Sequence, residues 1–188
     1  GIRDIGVTGV QTCALPISVR IAGNTTTTGD FTIEWFQYAT TVGNSFPRIF
    51  AIGNYPGQSI GVSQEGSYSS RTFYAWMPSA NAIESGQNYT NTWIHFAICR
   101  SGTSLRVFKN GTQIGTTLTN STNFADSTNA LRIGNETSAS SAAAFKGYIT
   151  NFRWTKGQAL YTSNFTRPAA PLSAFRAWRM SVPSCSSV

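Results

Sequence analysis

The chain has 188 residues, of which 40% are hydrophobic and only 11% are charged, against about a quarter charged in typical soluble domains. No apolar run approaches the ~20 residues of a membrane-spanning helix. The formal net charge of +7 comes from scarce acids and scattered bases, without the basic cluster that follows a phosphate backbone. We therefore expect no membrane span and no nucleic-acid partner, and at most a weak attraction to acidic glycans or cell surfaces.

The two ends of the chain differ from the sequence between them. Residues 7–18, VTGVQTCALPIS, read as the translation of a sequencing-library adapter, so we interpret residues 1–18 as an artefact. The alternative is a genuine N-terminal strand. Residues 173–188 lack alternation and contain Pro183, which predicts an irregular tail, either frameshifted or an ordinary flexible end. The predicted domain is residues 19–172, enough chain for one hydrophobic core.

Short apolar or alternating runs, separated by segments rich in Gly, Asn and Ser, predict an all-β domain with minimal helix. In chain order, the predicted strands are residues 18–21, 31–39, 48–53, 59–63, 72–77, 93–100, 105–109, 112–117, 131–134 and 147–154. Within residues 31–39, the alternation places Phe31, Ile33 and Trp35 on one face and Glu34 on the other. Many short strands at regular spacing favour two packed antiparallel sheets in a jelly-roll sandwich.

The clearest local signal is an antiparallel meander beginning at Trp93. Asn110-Gly111 supplies the two positive-φ positions of a type I′ hairpin turn. That turn pairs Lys109 with Thr112 and sets Val107 opposite Ile114.

The sequence pattern of this meander is W-x-H-x-A-x-x-R-S-G-x-x-L-R-V-F-x-N-G. It resembles laminin-G-like domains of the concanavalin-A-like lectin/glucanase superfamily. The closing segment GYITNFRW at residues 147–154 and ALYTSNF at residues 159–165 extend the resemblance. It is especially close to versions in large-virus, tailed-phage and environmental proteins. The resemblance covers residues 19–172 and implies the jelly-roll fold. It says less about the ligand, because this fold hosts lectins, hydrolases and spacers alike.

The acidic residues argue against an enzyme. Glycosidase chemistry needs two carboxylates about 5–10 Å apart, and the superfamily's glucanases carry them in an E-x-D-x-x-E pattern that does not occur here. The acids of the domain are separated by at least three residues: Asp30, Glu34, Glu65, Glu84, Asp126 and Glu136. We therefore predict no catalytic residues and no enzymatic activity.

The remaining single residues favour structural roles. His95 is the only histidine, and the resemblance implies that it is buried, hydrogen-bonded and structural. Cys99 is the only cysteine of residues 19–172, which predicts a small core residue and no disulfide or Cys-based metal site. The polar loop at residues 120–129 offers oxygen donors at Asn123 and Asp126. One carboxylate makes this a weak calcium site, and no other cofactor is expected.

The aromatic residues carry the candidate binding site. Those of the strands are predicted to be mostly core: Trp35, Phe36, Trp93, Phe96, Phe108, Phe152 and Trp154. Those in or next to loops are candidates for contact with a sugar ring, through its C–H face and hydroxyls: Tyr55, Tyr68, Tyr74, Trp76 and Tyr89.

The sequence thus predicts a non-catalytic recognition module of a larger surface or virion protein. Its expected partner is a glycan or cell-surface polysaccharide, and its expected location is extracellular or on a virion surface. The alternative is a structural or protein-interaction module in a phage tail or capsid appendage, contacting other chains of a larger assembly. A glycoside hydrolase is less favoured.

Overall fold

The computed structural model describes residues 4–7, 10–12, 19–21, 28–40, 47–53, 60–64, 74–77, 80–84, 90–122, 130–136 and 143–169, with backbone alone at residues 4–21, 74, 76, 77 and 80–84. This part of the chain contains no α-helix. None of the residues described therefore forms a helix long and apolar enough to cross a membrane.

The described residues form two antiparallel sheets. The strands are β1 Asp4–Val7, β2 Val10–Thr12, β3 Val19–Ile21, β4 Phe31–Ala39, β5 Arg48–Ile52, β6 Ile60–Ser63, β7 Tyr74–Met77, β8 Ala80–Glu84, β9 Trp93–Ser101, β10 Ser104–Lys109, β11 Thr112–Thr119, β12 Leu131–Ile133 and β13 Gly147–Lys156. One sheet has seven strands in the order β1-β13-β4-β9-β10-β11, with β2 also paired to β13, and the other has six in the order β3-β12-β5-β6-β7-β8. The predicted all-β jelly-roll sandwich is confirmed.

The core lies between the two sheets and is rich in aromatic rings. Trp35 of β4 is at its centre, with ring centroids 5.4 Å from Phe50, 5.7 Å from Phe96 and 6.4 Å from Phe152. All four side chains are at most 1% exposed. Since a buried aromatic side chain removes 150–250 Å² of surface from water, this cluster is a large part of the apolar contact between the sheets.

A series of side-chain hydrogen bonds also crosses the core. Trp35 Nε1 donates to Gln37 Oε1 at 2.8 Å, and Gln37 Nε2 donates to Gln64 Oε1 at 2.6 Å. All three residues are fully buried, and Gln64 follows β6 in the opposite sheet. Burying an amide costs free energy unless it is hydrogen-bonded. This series of hydrogen bonds therefore fixes how the two sheets face each other.

The meander forms as predicted. Lys109 pairs with Thr112 and Val107 with Ile114. The turn residues Asn110 and Gly111 have φ values of 48° and 85°, the left-handed backbone that a type I′ turn requires.

Three strands were not predicted. β8 contains Asn81, a residue depleted in strands, and it forms by pairing with β7. β1 and β2 lie in the segment interpreted as an adapter translation, and their backbones pair with the outer edge of β13, with Val7 opposite Phe152 and Val10 opposite Ile149. The foreign origin of residues 1–18 stays a prediction. Residues 173–188 lie outside the described residues.

Candidate functional site

Three aromatic side chains meet at one end of the seven-stranded sheet. The strand register places Tyr148 of β13 opposite Tyr38 of β4, and Tyr38 opposite Trp93 of β9. Ile33, Trp35 and Ile94 point into the core, so alternation directs Tyr38 and Trp93 to the outer face of this sheet. Trp93 is 44% exposed, the one large hydrophobic side chain exposed among the described residues. We call Tyr38, Trp93 and Tyr148 the aromatic cup.

The three rings of the aromatic cup are mutually close. The ring centroids are 5.7 Å apart for Tyr38 and Trp93, 6.1 Å for Tyr38 and Tyr148, and 6.5 Å for Trp93 and Tyr148. Together with Thr40 and Asn91 they line an open cavity of about 470 Å³. The lining thus combines apolar ring faces with three hydroxyls and one carboxamide, the groups that proteins use to hold polar ligands with an apolar face.

The backbone beneath the aromatic cup is tightly fixed. Thr40 donates from its backbone nitrogen (3.0 Å) and from Oγ1 (3.2 Å) to the carbonyl oxygen of Lys146. The backbone nitrogen of Asn91 donates to the Ala39 carbonyl at 2.7 Å. A Cβ at Gly147 would lie 2.1 Å from the carbonyl oxygen of Tyr38, so this close approach of β13 to β4 depends on glycine. The cup is therefore carried by strand ends rather than by long loops.

The strand aromatics are mostly core, as predicted: six of the seven are buried, and Trp93 is the exception. Trp93 is in phase with His95 and Cys99, not with the inward-facing Ile94 and Phe96. That phase was visible in the sequence, and it is the signal that could have identified the exposed ring. Tyr38 and Tyr148, which sequence reasoning did not select, follow from the same alternation on their own strands.

A second cluster lies on the same outer face, around the fully buried Glu34 and His95. Glu34 accepts hydrogen bonds from His95 Nε2 (3.0 Å), from the Tyr161 hydroxyl (3.0 Å) and from Arg153 Nε (2.9 Å), and it is also paired with Arg153 Nη2. Glu34 and His95 are 0% exposed. An ionised carboxylate only accepts, so Nε2 of His95 must carry the proton that it shares with Glu34.

The electrostatics of this cluster keep Glu34 ionised. Burial alone would raise the pKa of Glu34. The hydrogen bond from His95 and the positive charge of Arg153 outweigh burial and hold the pKa of Glu34 below its ordinary value of 4.5. Burial, followed by the negative charge of Glu34, raises the pKa of Tyr161, so its hydroxyl remains a donor. Glu34 is therefore the ionised centre of a buried hydrogen-bond and ion-pair network, in which Nδ1 of His95 is buried without a hydrogen-bond partner among the described residues.

The network is covered by residues 157–169, which we call the strap. Tyr161 and Phe165 stack on each other with centroids 3.6 Å apart and pack on Ala97, Cys99 and Phe108. These contacts bury Cys99 to 1% exposure as predicted, and burial raises the pKa of its thiol to about 12.

Hydrogen bonds attach the strap to the sheet at Leu160 and at residues 164–165. Leu160 donates from its backbone nitrogen to Thr32 Oγ1 at 2.8 Å, near the start of β4. Phe165 donates to the Gly111 carbonyl at 2.8 Å, and Asn164 Oδ1 accepts from the Gln113 backbone nitrogen at 2.9 Å. The Asn110-Gly111 turn therefore also serves as the docking point of the strap.

Replacing His95 by glutamine is expected to lower the free energy of unfolding by about 1–3 kcal/mol, the range of a lost buried contact network. The imidazole packs against Phe36, Tyr161 and Phe165 with centroids 4.9, 6.5 and 6.0 Å away, and glutamine cannot reproduce these ring contacts. Urea denaturation measures the change. Unaltered stability together with a lost ligand would assign His95 to binding instead.

Two arginines that are scattered in the sequence are buried and form ion pairs or hydrogen bonds. Arg48 pairs with Glu136 at 3.1 Å. Arg100 is 1% exposed and donates to the Gly29 carbonyl (2.9 Å) and to Asn120 Oδ1 (3.2 Å). Burial lowers the pKa of Arg100, against the opposing effect of Asp30. These arginines stabilise loops and therefore do not form an external basic surface.

The site residues selected from the sequence fall mostly beyond the described residues. Tyr55, Tyr68 and Tyr89 lie outside them, as do the calcium candidates Asn123 and Asp126. The backbones of Tyr74 and Trp76 lie in β7 of the six-stranded sheet, paired with Ser63 and Gly61. No cluster of His, Cys, Asp or Glu suited to a metal ion occurs in the part of the chain that is described.

A laminin-G-type family model, described as the concanavalin A-like lectin/glucanases superfamily, matches residues 17–160. The chain belongs to the concanavalin A-like lectin/glucanases superfamily. The resemblance carried by the meander is thus confirmed at the level of the family, while the link to phage and environmental proteins stays a prediction. No curated protein matches the sequence.

Solved structures support the same fold. The chain is similar to domain 4 of AbnA, a GH43 extracellular arabinanase from Geobacillus stearothermophilus in complex with arabinotriose, with a TM-score of 0.60 and 13% identity over 84% of this chain and 83% of that one. It is also similar to a heptameric SAP-like pentraxin from Limulus polyphemus, with a TM-score of 0.55 and 13% identity over 80% and 74%.

A Trypanosoma rangeli sialidase matches with a TM-score of 0.54 and 15% identity over 71% of this chain, which spans 21% of the sialidase's length. At such identities the similarities show a shared sandwich fold, which hosts lectins and glycoside hydrolases alike.

Proposed function

We propose that this superfamily member is a non-catalytic carbohydrate-recognition module of a larger surface or virion protein, and that the aromatic cup holds the sugar. The observation that carries the proposal is the 44% exposure of Trp93 beside two tyrosines. A contiguous group of exposed rings with polar groups at its rim is typical of an interaction site. The cup also offers Asn91 and Thr40 to bond a sugar's hydroxyls.

The arrangement of carboxylates supports a role without catalysis. Glu34 is sealed beneath the strap and already accepts bonds from three side chains. Asp30 precedes it by four residues, about 13 Å along an extended strand, and its Oδ1 accepts from the Gly102 backbone nitrogen. A glycosidase places its two carboxylates about 5–10 Å apart with access to the substrate, so Glu34 and Asp30 do not form such a pair.

The comparison structures add circumstantial support. One similar structure is a domain of an extracellular arabinanase in complex with arabinotriose, and another belongs to a sialidase. Both are parts of enzymes that act on sugars, and in the first case the domain corresponds to this chain over most of its length. We propose by analogy that this chain also recognises a glycan, outside the cell or on a virion.

Replacing Trp93 by alanine is expected to weaken glycan binding about tenfold or more, a loss of about 1.4 kcal/mol. The variant should remain folded at about 25 °C with a lowered melting temperature, because the ring contacts Tyr38 and Tyr148 on the outer face but is absent from the core. A glycan array followed by titration calorimetry measures the effect. The matched control is Thr116→Ala, an exposed position on β11, which should leave every array signal unchanged.

The same array tests the loop site predicted from the sequence. Loss of binding in Trp76→Ala or Tyr68→Ala, with Trp93→Ala unaffected, would move the site away from the aromatic cup. A blank array for the wild-type chain would contradict glycan recognition altogether.

The second candidate function is a structural or protein-interaction module in a larger assembly. Its supporting observation is β11, the terminal strand of the seven-stranded sheet, where five of eight residues are exposed. Terminal strands present backbone groups that can pair with another chain. A blank array combined with self-association in analytical ultracentrifugation would favour this function.

A further inference from the structure

We propose that the aromatic cup takes one uncharged sugar residue at the end of a glycan, rather than a run of residues along a chain. This rests on the proposed function and names the ligand class of the same site. Three observations carry it: the spacing of the rings, the position of the strap, and the chemistry of the lining.

The rings converge more closely than the strands that carry them. Neighbouring strands lie about 4.8 Å apart, so β13 and β9, on either side of β4, are separated by roughly twice that distance. The centroids of Tyr148 and Trp93 are nevertheless only 6.5 Å apart. The two outer rings therefore lean toward each other. With Tyr38 at 6.1 and 5.7 Å, the three centroids form a compact triangle instead of a line.

The rings are also tilted, with interplanar angles of 38°, 55° and 59°. A platform for a polysaccharide chain needs rings in succession, each stacking on a different sugar. Three tilted rings in a triangle instead form one compact surface, on which a single small ring can rest. The geometry of the cup thus fits a single sugar residue, whose C–H faces meet the ring faces.

The strap closes the cup on one side. The next outward-facing residues on the same two strands are Phe36 and His95, which are 4% and 0% exposed. The guanidinium of Arg167 lies over the Phe36 ring, 5.9 Å from its centroid. A glycan chain that entered the cup could not continue along the strands in this direction. This closed side favours a residue at the end of the chain, with the rest of the glycan leaving on an open side.

The lining of the cavity carries no formal charge. Its five residues are Tyr38, Thr40, Asn91, Trp93 and Tyr148, which offer ring faces, hydroxyls and one carboxamide. The described bases near it are Arg167 on the strap and Lys146, whose carbonyl accepts from Thr40, and neither belongs to the lining. Recognition by stacking and neutral hydrogen bonds selects an uncharged sugar and predicts little dependence on salt.

The test uses the full chain and calorimetric titration with named probes. These are the methyl glycosides of glucose, galactose, mannose, xylose and arabinose, and the di- and trisaccharides that end in the same residues. For at least one sugar we expect the Kd of the methyl glycoside and of its trisaccharide to agree within about threefold. Binding should weaken at least tenfold in Trp93→Ala, persist in Thr116→Ala, and change less than twofold between 50 and 500 mM NaCl.

The other outcomes separate this inference from the proposed function. A Kd that falls tenfold or more from methyl glycoside to trisaccharide would overturn recognition of a single end residue but keep glycan binding. Preference for glucuronic or galacturonic acid over the neutral sugars, lost at high salt, would overturn the uncharged class. Trp93-dependent binding of choline without any sugar would identify the cup as a site for quaternary ammonium groups and overturn both proposals. The absence of binding to all of these probes would also overturn both.

Discussion

Replacing Glu34 by glutamine is expected to lower the free energy of unfolding by about 3–5 kcal/mol, the usual cost of removing one partner of a buried ion pair. The variant keeps the shape of the side chain, but Arg153 loses its counter-charge in a site where Glu34 and His95 are fully buried. Urea denaturation of both proteins measures the difference. The free energy of unfolding of a typical domain is only about 5–15 kcal/mol. The variant should therefore be close to unfolding at 37 °C.

The same substitution should change the pH dependence of stability. The pKa of Glu34 in the folded protein lies below its ordinary value, so the unfolded chain binds a proton more readily than the folded chain. The stabilisation is therefore complete above about pH 5, and it is lost as the pH falls through the folded pKa. We expect the acid limb of the stability curve to be flatter in Glu34→Gln. Parallel acid limbs in the two proteins would contradict this assignment.

A double-mutant cycle separates the ion pair from the rest of the network. Arg153→Met alone leaves Glu34 buried without its cation, and the double variant Glu34→Gln/Arg153→Met removes both charges. We expect the double variant to be less destabilised than the sum of the single variants, because neither charge is then stranded. Glu136→Gln, where the carboxylate side chain is 15% exposed, should cost less than Glu34→Gln.

Replacing Gly111 by alanine is expected to destabilise the domain by about 2–5 kcal/mol. Of this, about 1–2 kcal/mol is the cost of left-handed backbone for a residue with a Cβ, and about 1–3 kcal/mol comes from overpacking. The added Cβ would lie 1.9 Å from the carbonyl oxygen of Phe165. The strap must therefore move away from the hairpin, which also loosens the Tyr161–Phe165 stack over Cys99. Thermal denaturation should show a loss of about 2–4 °C per kcal/mol.

Gly102→Ala is the matched control for this substitution. Gly102 also has a positive φ, of 57°, but a Cβ there would meet no atom within 4 Å. It should show the backbone cost alone, about 1–2 kcal/mol. Equal destabilisation of the two variants would mean that Gly111 matters only for the turn and that the strap does not depend on it.

Local rules were sufficient for much of the fold. The strand Phe31–Ala39 and the hairpin at Asn110-Gly111 follow from alternation and from the φ values that the turn needs, both of which are encoded by neighbouring residues. β8 was not predictable in this way, because residues 80–84 have weak strand propensity and gain their structure from pairing with β7. Tertiary context overrides propensity in such cases.

The candidate site was harder to predict than the fold. Alternation correctly placed Glu34 on the outer face of its strand, but it could not reveal that the strap, which has no periodic pattern, covers that face. Trp93 is exposed for the complementary reason, because the strap does not extend over the aromatic cup. Which outward-facing residues are buried and which are free for a ligand is set by contacts between segments more than 100 residues apart, such as Tyr161 and Glu34.

Those distant contacts also determine when the domain can finish folding. Leu160 bonds to Thr32, 128 residues earlier, and Arg153 to Glu34, 119 residues earlier. Contacts of such large sequence separation form slowly, because a long loop must close before they contribute. A nascent chain therefore leaves Ala97, Cys99 and Phe108 uncovered until residues 157–169 have emerged from the ribosome. During synthesis this apolar surface is a target for chaperones and for misassembly between neighbouring chains.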